Sequence, residues 1–502
     1  MALLSLLIWL PVVGAIVVLL TGSDKNANTA RWIALITSVI TLLLCIPLYM
    51  GFNGASYAMQ FQEHYNWVPV YGITYSLGVD GISCPLIILT IFTTLLVVIA
   101  SWNAIHTKVS QYLASFLVMQ SMVTGVFAAT DAILFYVFWE AMLIPMYLSI
   151  GIWGSANRSY ASIKFFLFTF LGSALLLIVI LYLRSQNESF DILSYYALKL
   201  SLPVQLWLFF GFLLAFAVKV PMWPVHTWLP DAHTEAPAGG SVVLAALMLK
   251  LGAYGFLRFT LPIVPDASHV LDTFMISLSL IAIIYIGFVA IAQTDMKKLI
   301  AYSSIAHMGF VTLGCFMIFI IIRNTGNIID AYMSLEGAMV QMISHAFSSG
   351  AMFLGVGVLY QRLHSRLIKD FGGVANTMPI FATFFMIFAM SNAGLPGTSG
   401  FVGEFMIILS GFKANFWITF AATTTLILAA TYTLWMYKRV FFGRVANDKI
   451  AALTDINLSD KILFTLLTIG IIAIGVYPLP LLNMMHGTVG HLLTLSIQTK
   501  VA

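Results

Sequence analysis

The sequence predicts an all-α fold: a polytopic transmembrane helix bundle of about 14 helices, arranged as two inverted five-helix repeats with broken helices. Three observations carry this reading. Of the 502 residues, 61% are hydrophobic and only 8% charged, against roughly 25% charged in soluble domains. Mean hydropathy over the chain is +0.98. Apolar runs of about 20 residues recur from end to end, and two of them are interrupted by proline and glycine beside an ionisable side chain. Such a composition excludes an ordinary soluble enzyme. The 23 basic and 19 acidic residues are too scattered to form a nucleic-acid surface. Cys45, Cys84 and Cys315 stand apart, without metal or iron–sulfur spacing, and read as small buried hydrophobes. A redox centre is therefore not expected from this chain alone.

Taken in order, the predicted spans are 2–21, 31–51, 80–101, 110–129, 131–152, 161–184, 203–228, 236–262, 270–292, 297–322, 332–363, 379–411, 415–442 and 460–480. The first lacks a basic leader and a small-residue cleavage pattern, so it reads as a retained helix rather than a signal peptide. Residues 1–105 form an N-terminal group of helices, 106–265 and 266–445 the two repeats, and 446–502 a C-terminal loop with the last transmembrane helix. Basic residues favour cytoplasmic loops. With the N-terminus outside, fifteen of them fall on the cytoplasmic side, and six fall opposite: Arg184, Lys199, Arg258, Arg323, Lys413 and Lys500. Lys219 and Lys250 remain inside spans.

Among the carboxylates, most sit in loops or at span ends, where Asp131 is placed to cap a helix start. Glu140, in LFYVFWEAMLIPMYLSI, and Glu404, in GTSGFVGEFMIILSGF, lie at membrane depth with the two lysines. An ionisable group there costs a few kcal/mol, which calls for pairing, internal water and a function. Pro221, Pro224 and Pro230 follow Lys219, and Gly394, Pro396, Gly397 and Gly400 precede Glu404, so each of these spans is expected to break beside its charge. Glu140 is the candidate controller of the Lys219 charge. A permanent ion pair locking two helices is the bland alternative, as is a Lys219 that snorkels to the interface. Lys250 reads as a central relay, with a lysine satisfied by backbone carbonyls as the structural alternative. His307 and His345 lie within spans with serine hydroxyls one turn away, Ser303 for the first and Ser348 and Ser349 for the second. They read equally as proton carriers or as core histidines satisfied by those serines. His226 and His233, with Asp231 and Glu235, read as a loop or entry-side group rather than a metal site.

FAVKVPMWPVHTWLPDAHTEAP, followed by the span carrying Lys250, resembles the antiporter-like subunits of respiratory complex I and the Mrp sodium/proton antiporters. FWEAMLIPMYLSI, AYSSIAHMGF and GLPGTSGFVGEFMIL are similar to the subunit M branch, subunit 4 in mitochondria. There Glu404 is the distinguishing position, since sibling subunits carry lysine on that broken helix. The resemblance implies a proton-translocating membrane subunit of NADH:quinone oxidoreductase. In it, Glu140 and Lys219 are the coupled pair of the entry half, Lys250 the connecting lysine and Glu404 the terminal group of the exit half, with His307 and His345 on the same axis. It also implies that the chain itself carries no cofactor, with NADH, FMN, iron–sulfur clusters and quinone in partner subunits. The expected partners are the other membrane subunits, sibling antiporter-like ones on either side, in a bacterial inner membrane. A stand-alone or Mrp-type sodium/proton antiporter is the competing reading, and a structural scaffold the third.

Overall fold

The computed structural model describes residues 2–22 and 24–501. Thirteen of its helices are long and apolar enough to cross a membrane, and the shorter apolar pair Pro379–Asn392 and Ser399–Phe412 occupies the predicted 379–411 span. Every predicted span is thus matched in order. Two elements were not foreseen. An antiparallel hairpin pairs Gln60–Val68 with Ile73–Val79. A further helix, Leu479–Ile497, follows the last predicted span. Pro480 sits at its second position, where a missing N–H costs nothing.

The chain divides into two compact units. One comprises the chain up to Val220, Leu247–Asp272 and the C-terminal stretch from Leu481; the other comprises Pro221–Ala246 and Thr273–Pro480. In the first, Val109–Ala128 packs against Leu3–Leu20, Asp24–Gly51 and Ser83–Ser101, and Arg158–Asn187 packs along Leu202–Lys219. The hairpin caps this unit's first helix: Glu63 accepts from the Leu4 amide at 2.8 Å and from the Ser5 amide at 3.3 Å. A carboxylate at a helix N-terminus satisfies orphan donors and opposes the positive end of the helix dipole. The C-terminal segment is tied in by Lys500, which donates to the carbonyls of Tyr196 and Pro262.

In the second unit, Met296–Thr325 packs along Ile328–Leu363, which packs in turn against Ser399–Phe412. Most of the residues of these first two helices are buried, whereas few of those of the Leu458–Val476 helix are, and it presents apolar side chains outward. In a bilayer that division separates bundle interior from lipid-facing surface.

Each unit contains the same local device. Thr130-Asp131 and Thr294-Asp295 open helices, and both aspartates cap them: Asp131 accepts from the Ile133 and Leu134 amides at 2.9 and 3.0 Å, Asp295 from Lys297 and Lys298 at 2.8 and 3.2 Å. Both also form an isolated antiparallel bridge to a distant loop, Asp131 to Asp191 and Asp295 to Leu367. A 3-10 turn follows each loop partner, Ile192–Ala197 and Ile368–Asp370.

Candidate functional site

Three of the predicted residues lie in the first unit. Glu140 is in the last turn of Ala132–Ala141, just before the helix is interrupted at Met142. Lys219 closes the Leu202–Lys219 helix, two residues before Pro221. The helix stops there because proline disfavours helical geometry in the residue before it and cannot donate to the turn behind. Lys219 is 1% exposed, and its Nζ makes no hydrogen bond among the described residues. It lies 4.9 Å from the centroid of the Trp139 ring, and Trp139 is fixed by donating its indole N–H to Ser173 Oγ at 3.0 Å. Glu140 and Lys219 are therefore electrostatic neighbours without a joining hydrogen bond, and a locked ion pair is not what the structure contains.

Lys250 is fully buried in the Ala238–Ile263 helix. Two π-helical turns, Leu244–Met248 and Phe256–Thr260, flank the segment that carries it. Such turns loosen the regular carbonyl ladder and recur at functional sites. Gly252 brings this helix onto the end of the Lys219 helix: a Cβ there would stand 2.6 Å from the Phe216 carbonyl oxygen and 2.8 Å from the Val220 nitrogen.

The second unit gathers the other three. Its predicted break is present: the helix ends at Asn392, Gly394 and Gly397 take φ of +77° and +89°, and a new helix starts at Ser399. Those two positive φ values are where glycine is required. Glu404, 2% exposed, accepts through Oε1 from Gln341 Nε2 at 2.9 Å and pairs with His307 Nδ1 at 2.6 Å. Gly403 makes this approach possible, since a Cβ would meet the Gln341 nitrogen at 2.6 Å. His345 lies one turn beyond Gln341, its ring centroid 6.0 Å from that of His307.

Several expectations are corrected. Ser303 and Ser348 do not satisfy the histidines: their hydroxyls bond back to the carbonyls of Ile300 and Ser344, as serines in helices commonly do. Ser349 pairs with Ser304 at 2.9 Å. His233 belongs to no loop. It is buried on the helix Trp228–Glu235, stacked on Phe353 at 4.3 Å, and Glu235 at the end of that helix pairs with Arg366 at 3.7 Å. Arg258, sorted to the side opposite the cytoplasm and within the predicted 236–262 span, lies in the Ala238–Ile263 helix, 5% exposed and paired with Asp80 at 2.7 Å. Gln341 went unnoticed. Its only sequence signal is the four-residue spacing to His345, which places both on one helix face.

Residues 129–429 match the family described as NADH:quinone oxidoreductase/Mrp antiporter, TM. The chain belongs to this NADH:quinone oxidoreductase/Mrp antiporter family. Residues 6–130 match the amino-terminal family of NADH-ubiquinone oxidoreductase chain 4. Within the family, NADH-quinone oxidoreductase subunit M of Rhodobacter capsulatus is 45% identical, covering 98% of this chain and 96% of its own length. NADH-ubiquinone oxidoreductase chain 4 of Marchantia polymorpha is 40% identical over 97% of this chain and 96% of its own. Among solved structures of the family, respiratory complex I from Thermus thermophilus with bound NADH contains a chain that superposes with a TM-score of 0.88 at 27% identity. The match covers 99% of this chain and all of that one. A chain of the Mrp complex from Dietzia sp. DQ12-45-1b shares the fold, with a TM-score of 0.84 at 19% identity, over 100% of this chain and 99% of that one.

Proposed function

We propose that this chain is the proton-translocating subunit M of an NADH:quinone oxidoreductase, in which quinone reduction elsewhere in the complex drives protons along Glu140, Lys219, Lys250, His307, His345 and Glu404. The observation that carries the reading is the Glu404 site. A carboxylate, not a lysine, ends the set, buried on the second half of an interrupted helix and held by a histidine and an amide. With Glu404 ionised, Oε1 accepts from both neighbours, so His307 carries its proton on Nδ1. His307 Nε2 is buried and makes no hydrogen bond among the described residues. A proton taken up at Nε2 releases the Nδ1 proton to Oε1, and Glu404 becomes the protonated terminus. No bond but N–H and O–H changes.

In the first unit the same economy applies to Lys219. The ammonium sits against an aromatic face with Glu140 as its near counter-charge, and neither is locked by a hydrogen bond to the other. Drawing Glu140 away weakens that counter-charge and so biases Lys219 to give up its proton toward Lys250. NADH, FMN, iron–sulfur clusters and quinone belong, on this reading, to partner subunits, and the chain itself contributes proton carriers only. Sibling antiporter-like subunits flank it in a bacterial inner membrane, with its N-terminus outside the cytoplasm. Residues 106–265 and 266–445 are the two repeats, supported by the aspartate cap and loop bridge that each unit contains and by an odd number of spans per repeat, which inverts the second.

The deciding experiment is NADH-driven proton uptake by membranes in which complex content has been verified, with and without sodium. Uptake that persists without sodium and is lost in Glu404→Gln is the expected result. Sodium-dependent exchange that needs no NADH would instead establish the antiporter reading.

A further inference from the structure

Lys250, Tyr254 and Arg258 follow one another at four-residue intervals on the Ala238–Ile263 helix and so share one of its faces. Past Arg258 lies a cavity of about 480 Å³ whose lining includes Tyr57, Asp80, Tyr196, Arg258, Thr488 and His491. Tyr57 at its rim is 59% exposed. A polar stripe thus leads from a fully buried lysine toward a cavity that reaches the surface. If protons could run along it, any proton delivered to Lys250 would be lost before reaching the rest of the relay.

The hydrogen bonds along the stripe run the wrong way for that. Arg258 Nε–H donates to the Tyr254 hydroxyl at 3.2 Å, and that hydroxyl donates to the Phe127 carbonyl at 3.3 Å. To carry a proton outward, Tyr254 would have to accept from the lysine side and donate to the cavity side. Instead its acceptor faces the guanidinium, and its own proton ends on a carbonyl that has none to pass on. A guanidinium offers only donors and keeps its charge at any working pH. Arg258 is held in place by Asp80 at 2.7 Å and by the Tyr196 hydroxyl, which donates to its carbonyl at 2.9 Å. Asp80 is fixed in turn by the Ile82 and Ser83 amides at 3.1 and 3.0 Å. A fixed cation with reversed donors is also how water pores exclude protons.

We propose that Tyr254, Arg258 and Asp80 form a proton seal, which keeps protons carried by Lys250 out of the Asp80–His491 cavity. Arg258 is a positioning residue here, acting through Tyr254. The inference rests on the reading of Lys250 as a relay group, and its test is made without turnover, so the two can fail separately.

The test uses the purified whole complex in liposomes loaded with a pH-sensitive dye. A potassium diffusion potential drives passive proton flux in the absence of NADH. Asp80→Asn/Arg258→Gln removes both buried charges together, and Arg258→Gln alone leaves Asp80 as an acceptor; each loses the guanidinium donor that holds the Tyr254 hydroxyl reversed, and the loss of a hydrogen bond to a charged group, about 1.5–3 kcal/mol, should speed the leak about tenfold or more. Asp80→Asn alone keeps the cation and should stay as tight as wild type, whereas mere loosening of the packing would make it leak too. Adding Lys250→Leu to a leaking variant should close it. Wild-type tightness in an assembled Arg258→Gln complex, leakage in Asp80→Asn, or leakage that survives Lys250→Leu would each overturn the seal. Failure of NADH-driven pumping in Glu404→Gln, by contrast, bears on the relay and leaves these passive fluxes unaffected.

Discussion

On the proposed relay, the absence of a hydrogen bond from Lys219 to Glu140 is what gives the pair room to act. A locked pair would hold its proton permanently, while a lysine resting 4.9 Å from the Trp139 ring keeps a modest cation–π hold of about 0.5–2 kcal/mol and depends on Glu140 for the rest. Glu140→Gln should therefore reduce NADH-driven pumping and coupled NADH oxidation by about tenfold or more, with Glu140→Asp retaining part of both. Full activity in Glu140→Gln at normal complex content would remove the switch. In the other unit, Gln341→Leu takes away one of the two donors on Glu404 Oε1. A hydrogen bond to a charged group is worth about 1.5–3 kcal/mol, so pumping should fall without loss of assembly. Gln341→Asn, too short to reach, should behave like the leucine variant, and wild-type rates in both would show that His307 alone positions the carboxylate. The six candidate residues could be picked out in the sequence because a charge or imidazole at membrane depth is costly and stands out against an apolar run. Gln341 was not legible, since an uncharged amide carries no such penalty signal. The pairing of Arg258 was not legible either, since its partner Asp80 lies on a distant segment that only the fold brings near.

Among the elements, the two interrupted helices were legible because proline and positive-φ glycine leave a strong mark. The two π-helical turns beside Lys250 and the Gln60–Val79 hairpin left none. The π turns need no special residue, and the hairpin's strands, QFQEHYNWV and ITYSLGV, are held by pairing and by Glu63 capping the first helix rather than by an apolar alternation. What positions Lys250 is the close approach of its helix to the Lys219 helix end, and that approach depends on Gly252. Gly252→Ala would place a Cβ 2.6 Å from one backbone atom and 2.8 Å from another, so the helices must separate. Overpacking of this kind costs about 1–3 kcal/mol. Both the content of assembled complex and the activity per complex should drop. Gly350→Ala serves as the control, because its added Cβ meets nothing nearer than Val242 Cγ1 at 3.8 Å, and it should match wild type on both measures. Equal behaviour of the two variants would show that the contact at Gly252 is slack.

For the molecule as a whole, the side of the membrane on which each segment lies follows from counting crossings, and the count has one delicate point. Twelve of the thirteen long spans and the interrupted pair Pro379–Asn392 and Ser399–Phe412 precede the segment around Asp448. If that pair makes a single crossing, the total before Asp448 is odd and Asp448 lies on the side opposite the N-terminus; if each half turned back separately, it would lie on the same side. The basic residues argue for the first case. Arg444, Lys449 and Lys461 surround the segment, as basic residues do on the cytoplasmic side. The chain also offers a clean background for labelling, since Cys45, Cys84 and Cys315 are all buried while Asp448 is exposed. Asp448→Cys should therefore resist a membrane-impermeant maleimide in intact cells and react in inverted vesicles. A second cysteine at the exposed Val70, in the hairpin segment after two crossings, should show the opposite pattern. If both positions react from the same side, the interrupted helix does not act as one crossing. The two repeats could not then be inverted copies, and the relay drawn from Glu140 to Glu404 would have to begin and end on one face of the membrane.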